Sequence, residues 1–425
     1  MKKAAFYTLG CKVNQVETEE LKEALLKQGF AVVDFDDIAD IYIINTCTVT
    51  HVSDKKSRAV IRRAVRRNPR AFVVVTGCLA QTNPEQIEAI SGVSLVVDNR
   101  SKEKIPLMVA ELTGQPIPES TAEGLHPVLY GSRHERTRAF IKIQDGCHSY
   151  CTYCIVPHTR GGVRSKKAEH VQLEMQHLLE LGYREIVLTG IHTGLYGYDL
   201  ENTDLTALLK QLLQLDGDYR LRLSSIEPLE ISPALLEVVQ HEKKVCKYLH
   251  IPLQSGSDSI LKAMNRRYNR EFYYDLLYNI ARQIPGIGLS ADVMVGFPGE
   301  SAADFRATYD LLAELPLHNL HVFKYSRREG TPAAGMAGQI EEAVKQERSQ
   351  TLLKLARRKR NEAIDNIRGQ VLRVLVEKRM GDSTYTGLSD NYIELSWDSR
   401  QDLRGEFALI RIVGRQQGLA LGCTV

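Results

Sequence analysis

Short apolar runs alternate with amphipathic stretches along the first 113 residues. The runs predict strands at 3–9, 40–45, 71–76 and 93–97, and helical periodicity falls at 15–28, 52–67, 84–90 and 101–112. Strands alternating with helices build a parallel sheet covered on both faces. From 114 to 138 the pattern lapses into Pro, Gly and polar residues, which reads as a linker. A second strand–helix series starts at 139, with strands expected at 139–144, 185–189, 220–224, 247–252, 288–294 and 319–324. Six such units suit an open or partial barrel. A helix near 340–366, basic toward its end, leads into short β-rich runs at 371–377, 384–388, 391–396 and 407–413, punctuated by glycine. The expected class is multidomain α/β. A parallel α/β sandwich spans 1–113, a linker 114–138, a partial (β/α)6 barrel 139–366, and a small β-barrel 368–425.

The chain has 425 residues, 43% apolar and 25% charged, which excludes a disordered chain, a collagen and a small disulfide scaffold. No apolar run approaches the ~18 residues of a membrane span, and nothing N-terminal reads as a signal peptide. A cytoplasmic protein with no membrane partner is expected. The net charge, 55 − 52 = +3, says little about partners, but its distribution says more. Residues 51–70 carry eight Lys/Arg against one acid, Asp54. Arg58, Arg62 and Arg66 recur at i, i+4 spacing, joined by Arg63 and Arg67, beside the apolar Val60, Ile61, Ala64 and Val65. This predicts a basic amphipathic helix able to meet RNA phosphates. From 369 to 425, seven basic residues balance seven acidic ones, so that module draws no RNA by net charge. Its Tyr385, Tyr392 and Trp397 are candidates either for base stacking or for its core.

Eight cysteines in a reducing compartment raise metal binding before disulfides. Cys147, Cys151 and Cys154 form C-x3-C-x2-C after a strand. Three thiolates on one loop hold three irons of a [4Fe–4S] cluster and leave the fourth open to a small molecule. The alternative is a zinc knuckle completed by His148 or His158. Cys11, Cys47 and Cys78 stand 36 and 31 residues apart, yet each follows a predicted strand and precedes a predicted helix. In a parallel sheet, all three turns lie at the carboxyl edge, where ligands bind. A second three-cysteine site is expected there, with helix N-termini favouring thiolate and Gly10 and Gly77 allowing close approach. Cys246 and Cys423 read as small packing residues.

Further polar clusters end the strands of the second series: Thr189-Gly190-Ile191-His192, Ser224-Ser225-Ile226-Glu227-Pro228, Pro252-Leu253-Gln254-Ser255-Gly256 and Gly296-Phe297-Pro298-Gly299-Glu300. All belong at the barrel end that carries the cysteine loop. His192, His250 and His321 read as structural histidines. No phosphate loop, nucleophile elbow or H-E-x-x-H helix is present.

Cys147 to Cys154 resembles the cluster motif of radical S-adenosylmethionine enzymes. Gly10-Cys11-Lys12-Val13-Asn14, Asn45-Thr46-Cys47-Thr48-Val49 and Thr76-Gly77-Cys78-Leu79-Ala80 are similar to signatures of the methylthiotransferase branch, and Ile155-Val156-Pro157-His158-Thr159-Arg160-Gly161 continues its middle one. Residues 368–425 resemble the TRAM module, an OB-like RNA-binding barrel. Thr8 to Gln15 and Ser224 to Pro228 look most like the type that methylthiolates carbon 2 of N6-threonylcarbamoyladenosine beside the tRNA anticodon. His148 departs from the Asn or Asp of many relatives.

The resemblance implies two [4Fe–4S] clusters and S-adenosylmethionine as cofactors. The Cys147/Cys151/Cys154 cluster would cleave S-adenosylmethionine to a deoxyadenosyl radical, and the Cys11/Cys47/Cys78 cluster would present the sulfur. It places the cofactor's amino group near Thr189-Gly190 and its adenine near Val295-Gly296-Phe297. Arg160, Glu227, Gln254 and Ser255 are further candidates for its contacts. Expected partners are the tRNA anticodon stem-loop, a flavodoxin- or ferredoxin-type electron donor, and a sulfur donor that the sequence does not name. Competing readings are the same chemistry on isopentenyladenosine or a ribosomal-protein aspartate, and a non-catalytic, metal-stabilised RNA-binding protein.

Overall fold

The computed structural model describes residues 1–114, 127–131 and 136–425. Of the expected linker, residues 115–126 and 132–135 lie outside the described residues. Contacts divide the chain into two units. The first comprises Met1–Gly131, Gln144–His170 and Ser326–Ala334, and the second Ser132–Ile143, Val171–Tyr325 and Gly335–Val425.

The first unit is built on a parallel sheet of β1 (Lys3–Thr8), β2 (Ala31–Val33), β3 (Ile41–Thr46), β4 (Phe72–Gly77) and β5 (Leu95–Val97), in the order β2-β1-β3-β4-β5. β2 escaped the sequence pattern because it is a three-residue edge strand. Strand alternation sends successive side chains to opposite faces, and the two faces bury separate cores. Ile41, Ile43 and Val74 pack with Leu21, Leu25, Ile105 and Val109. Tyr42, Ile44, Val73 and Val75 pack with Val60, Ile61 and Ala64 of the helix His51–Arg67. Each such aliphatic side chain contributes roughly 1.5–3 kcal/mol by leaving water.

The second series supplies β6 (Arg138–Asp145), β7 (Arg164–Ser165), β8 (Glu185–Gly190), β9 (Arg220–Leu223), β10 (Tyr248–His250), β11 (Gly288–Val295) and β12 (Asn319–Lys324). β7 is a two-residue strand antiparallel to the end of β6 and had no sequence signal. In the second unit β8 and β9 run parallel, as do β10, β11 and β12. A single bridge, Leu221 to Val245, continues from β9 toward β10. The six expected strands therefore form a partial barrel, hydrogen-bonded in two groups.

The C-terminal strands β13 (Val371–Met380), β14 (Thr384–Ser389), β15 (Glu394–Asp398), β16 (Phe407–Gln416) and β17 (Leu419–Thr424) close into a barrel ordered β13-β14-β15-β17-β16. β17 was missed, and it carries Cys423, which is exposed and packs nothing; Cys246 is buried as expected. Tyr385 and Trp397 belong to the barrel core. Tyr392 stacks on Tyr248 at 4.3 Å, with Arg222 over its ring. These rings are therefore taken up by packing and are not a free base-stacking platform.

Alternation along β9 also explains how the second unit holds this barrel. Leu221 and Leu223 are buried among apolar residues, while Arg220 and Arg222 share the other face. Glu185, paired in register with Arg220, accepts from both: Arg220 Nε at 2.6 Å and Arg222 Nε at 2.7 Å. Their remaining donors reach backbone carbonyls of Arg373, Leu388, Ser389 and Asp390. Burial alone would push the Glu185 carboxyl up, but Arg222 and Arg220 beside it hold it at about 2.

A depressed carboxylate stabilises the fold above its unfolded pKa, and the contribution fades as pH falls toward the folded value. Glu185→Gln leaves two buried guanidinium groups uncompensated, so a loss of about 3–5 kcal/mol is expected at pH 7 from urea unfolding. The gap between wild type and variant should shrink as pH is lowered from about 4.5 toward 2; a gap independent of pH would contradict the assignment.

Candidate active site

The strands β1, β3 and β4 end in step, with Thr8 opposite Asn45, Asn45 opposite Thr76 and Thr46 opposite Gly77. The next residues bring Cys11, Cys47 and Cys78 to the carboxyl edge. At Gly77, φ is +98° and a Cβ would lie 2.3 Å from the Thr46 carbonyl oxygen, so no other residue fits. A Cβ on Gly10 would lie 3.0 Å from Cys47 Cβ, which measures how closely the first two cysteine turns approach. Asn14 fastens them by donating to the carbonyls of Leu9 (2.7 Å) and Thr46 (3.1 Å). Asn99 lies 3.9 Å from Cys78 Sγ and donates to the Thr159 carbonyl at 2.9 Å.

The helix-dipole expectation fails for Cys47 and Cys11. Cys11 and Cys78 do sit at helix starts, but Cys47 precedes its helix by four residues. Burial pushes the Cys47 thiol up from its ordinary value. At Cys11, which keeps an exposed edge, the surrounding protein also raises the thiol against the opposing charge of Arg160. At Cys47 and Cys11 desolvation outweighs the opposing effects, so a bound metal would be what holds those two as thiolates.

The second triad follows the end of β6. The Cys147 amide donates to the Gly161 carbonyl at 3.0 Å, and the Cys154 amide to the Cys151 carbonyl at 2.9 Å, folding the loop onto itself. Gly146 has φ +75°, and a Cβ there would meet the Gly162 oxygen at 1.9 Å. Both triads belong to the first unit.

Arg160, expected among the cofactor's contacts, is instead part of a buried charge cluster in that unit. Its guanidinium donates to Glu17 and Asp145 at 2.8 and 2.9 Å and to Asn14 at 2.5 Å. Glu17 also accepts from the buried Lys102 at 2.5 Å. Burial would lower the Arg160 pKa, but Asp145 and Glu17 raise it well above the ordinary value. The segment Ser326–Ala334 supplies a second buried arginine. Arg328 pairs with Asp54 at 2.8 Å and donates to Thr48, while the Ala333 amide donates to the Thr152 carbonyl. Sequence reasoning missed Glu17, Lys102 and Arg328; only the asparagines beside the cysteines carried a signal.

The remaining cofactor candidates lie in the second unit. Thr189 and Gly190 end β8, and Val295, Gly296 and Phe297 follow the end of β11. Gln254 adopts φ +67° and bridges to Val293. Glu227 pairs with Arg266. Ser255, Val295 and Phe297 are fully buried in the wall, with the Ser255 hydroxyl near Thr308 and Phe297 edge-on to Tyr325. Their side chains pack into the wall of the second unit. His192 meets Glu230 at 2.5 Å.

The basic helix is real but not uniformly free. Arg62, Arg66 and Arg67 are exposed. Arg58 donates to Gln86, and Arg63 lies over the rings of Tyr7 and Phe35. Those two already have partners within the fold.

Residues 3–98 match the family described as uncharacterized protein family UPF0004, and residues 141–312 the radical SAM superfamily. Threonylcarbamoyladenosine tRNA methylthiotransferase MtaB of Bacillus subtilis is 40% identical over 427 residues, covering 97% of this chain and 94% of the relative. The chain belongs to the radical S-adenosylmethionine tRNA methylthiotransferases. Another member, the tRNA-2-methylthio-N(6)-dimethylallyladenosine synthase of Fusobacterium nucleatum, is 34% identical over 97% of each chain. The fold is shared with the radical S-adenosylmethionine methyltransferase TsrM of Kitasatospora setae, at TM-score 0.60 and 16% identity over 79% of this chain and 75% of that one. Methylthiotransferases use S-adenosylmethionine and two iron–sulfur clusters, and two sets of three thiols fit that requirement.

Anaerobic reconstitution should give about eight irons per chain, falling to about four in Cys11→Ala/Cys47→Ala/Cys78→Ala. Equal iron in both proteins would remove the N-terminal triad as a cluster site.

Proposed function

We propose that this methylthiotransferase places a methylthio group on carbon 2 of N6-threonylcarbamoyladenosine beside the anticodon of tRNA. The observation that carries the reading is the presence of two three-thiol sets in one unit, tied by Asn14, Asn99 and Arg160. Cys147, Cys151 and Cys154 hold the cluster that engages S-adenosylmethionine, and Cys11, Cys47 and Cys78 hold the one that carries the sulfur. When bound, these groups supply the electron for S-adenosylmethionine cleavage and the sulfur for transfer. The protein's own part is placement. Arg160 fixes the turn after Cys154 against the helix after Cys11, and the carbonyls at Thr189-Gly190 offer acceptors to an amino group. Thr189 is buried and Gly190 half-buried at that strand end. A purine C–H is too weak an acid for a side-chain base, so a site built for placement suits the reaction.

The choice of nucleoside rests on the relatives named for threonylcarbamoyladenosine at 34–40% identity; the relative at 34% named for dimethylallyladenosine supports isopentenyladenosine as the second reading. The electron donor is of flavodoxin or ferredoxin type. A tRNA substrate makes the cytoplasm the expected compartment, and among the described residues no helix is long and apolar enough to cross a membrane. Arg62, Arg66 and Arg67 present the phosphate-facing charge, and the C-terminal barrel takes the TRAM role.

Nucleosides from tRNA of a deletion strain should lack 2-methylthio-N6-threonylcarbamoyladenosine and accumulate the unmethylthiolated form. Loss of the isopentenyl derivative instead would transfer the assignment to the second reading.

Replacing Arg62, Arg66 and Arg67 by Gln should weaken tRNA binding and flatten the dependence of log K on log salt by up to about 2–3, given roughly 0.7–0.9 per phosphate contact. An unchanged slope would take this helix out of the interface.

A further inference from the structure

Three side chains from neighbouring strands of the second unit converge: His250 of β10, Asp292 of β11 and His321 of β12. The parallel register sets Asp292 opposite His321 and His250 opposite Ser290. His250 Nε2 lies 3.0 Å and His321 Nδ1 3.3 Å from the same oxygen, Asp292 Oδ1. One ligand atom from each residue falls within 4.8 Å of the others. His250 Nε2 is buried, and it and His321 Nδ1 converge on one carboxylate oxygen as ligands around a shared third atom would.

The surroundings hold this geometry. His250 Nδ1 meets the Ser290 hydroxyl at 2.9 Å, and that hydroxyl meets the Tyr248 hydroxyl at 2.5 Å. A hydrogen bond on the far ring nitrogen fixes the orientation and tautomer of a metal-binding imidazole. The Asp292 backbone carbonyl accepts from Leu253 and Gln254, pinning the carboxylate-bearing residue at its centre.

We propose that His250, Asp292 and His321 form a binding site for one divalent ion of the zinc class. Two imidazoles and one carboxylate suit zinc, cobalt(II) or iron(II) better than magnesium or calcium, which take all-oxygen sites. Three protein ligands leave a position open to an oxygen ligand. With neutral imidazoles, the occupied site carries one net positive charge.

The test uses the full chain with both clusters reconstituted, so that the cluster thiols are occupied, and with Cys423→Ser to remove the exposed thiol. One equivalent of zinc is added anaerobically and the protein is desalted. About one zinc per chain should remain with iron unchanged. X-ray absorption at the zinc edge should show nitrogen and oxygen ligands at about 2.0 Å and no sulfur near 2.3 Å. Asp292→Asn and His321→Gln should each lower retained zinc at least about tenfold. His321 is partly exposed, so its variant is expected to keep the wild-type urea midpoint and separates ligand loss from unfolding. Zinc lost on desalting, zinc retained equally by both variants, or sulfur in its coordination sphere would overturn the site and leave a purely imidazole–carboxylate contact.

Discussion

The burial of Arg160 is the constraint on which the first unit depends. An uncompensated guanidinium in that position would cost several kcal/mol, so the chain must bring Glu17 and Asp145 to it, and Asn14 completes the set. Glu17 then requires a share of Lys102. Three cations, Arg160, Lys102 and Arg164, close on two anions, joining stretches of chain more than a hundred residues apart. Asn14 lies three residues after Cys11, Asp145 two before Cys147, and Arg160 six after Cys154. The charge cluster is therefore what puts the loop of one triad against the loop of the other, and its positive member acts directly on the Cys11 thiol.

The second unit uses the same physics for a different end. Glu185 neutralises Arg220 and Arg222, and the donors left over reach backbone carbonyls of the C-terminal barrel. Carbonyl acceptors specify position without demanding a particular side chain, so the barrel's sequence is free to vary on its other faces. In both units, a buried carboxylate fixes arginines whose remaining hydrogen bonds define geometry. That is how supporting groups hold a site rigidly when its chemistry depends on placement.

The parts legible in the sequence were those that repeat locally. The strand–helix period alone put Cys11, Cys47 and Cys78 at one sheet edge, because parallel topology converts equal positions in successive units into spatial neighbours. The pattern failed at β2, β7 and β17, which are too short or too near a terminus to show alternation. It also could not tell which arginines on the helix His51–Arg67 are free. Arg63 is Arg62's neighbour on that helix, but its guanidinium lies over the rings of Tyr7 and Phe35, which the sequence pattern does not bring to it. Arg160 was placed with the cofactor because its partners, Glu17 and Asp145, are brought to it by tertiary folding, which no local pattern encodes.

That failure is informative about the cysteines as well. Local reasoning gave them thiolate character from helix N-termini, whereas the folded protein raises the Cys47 thiol by taking it out of water. Arg160, Lys102 and Arg164 against Glu17 and Asp145 leave one net positive charge, short of what three thiolates would need. The remaining compensation comes from the iron that the thiols bind, with protons displaced as it enters. Without metal, burial favours the protonated thiol at Cys47 and at Cys11. The geometry for binding is fixed in advance by carboxylates and amides that never touch the metal.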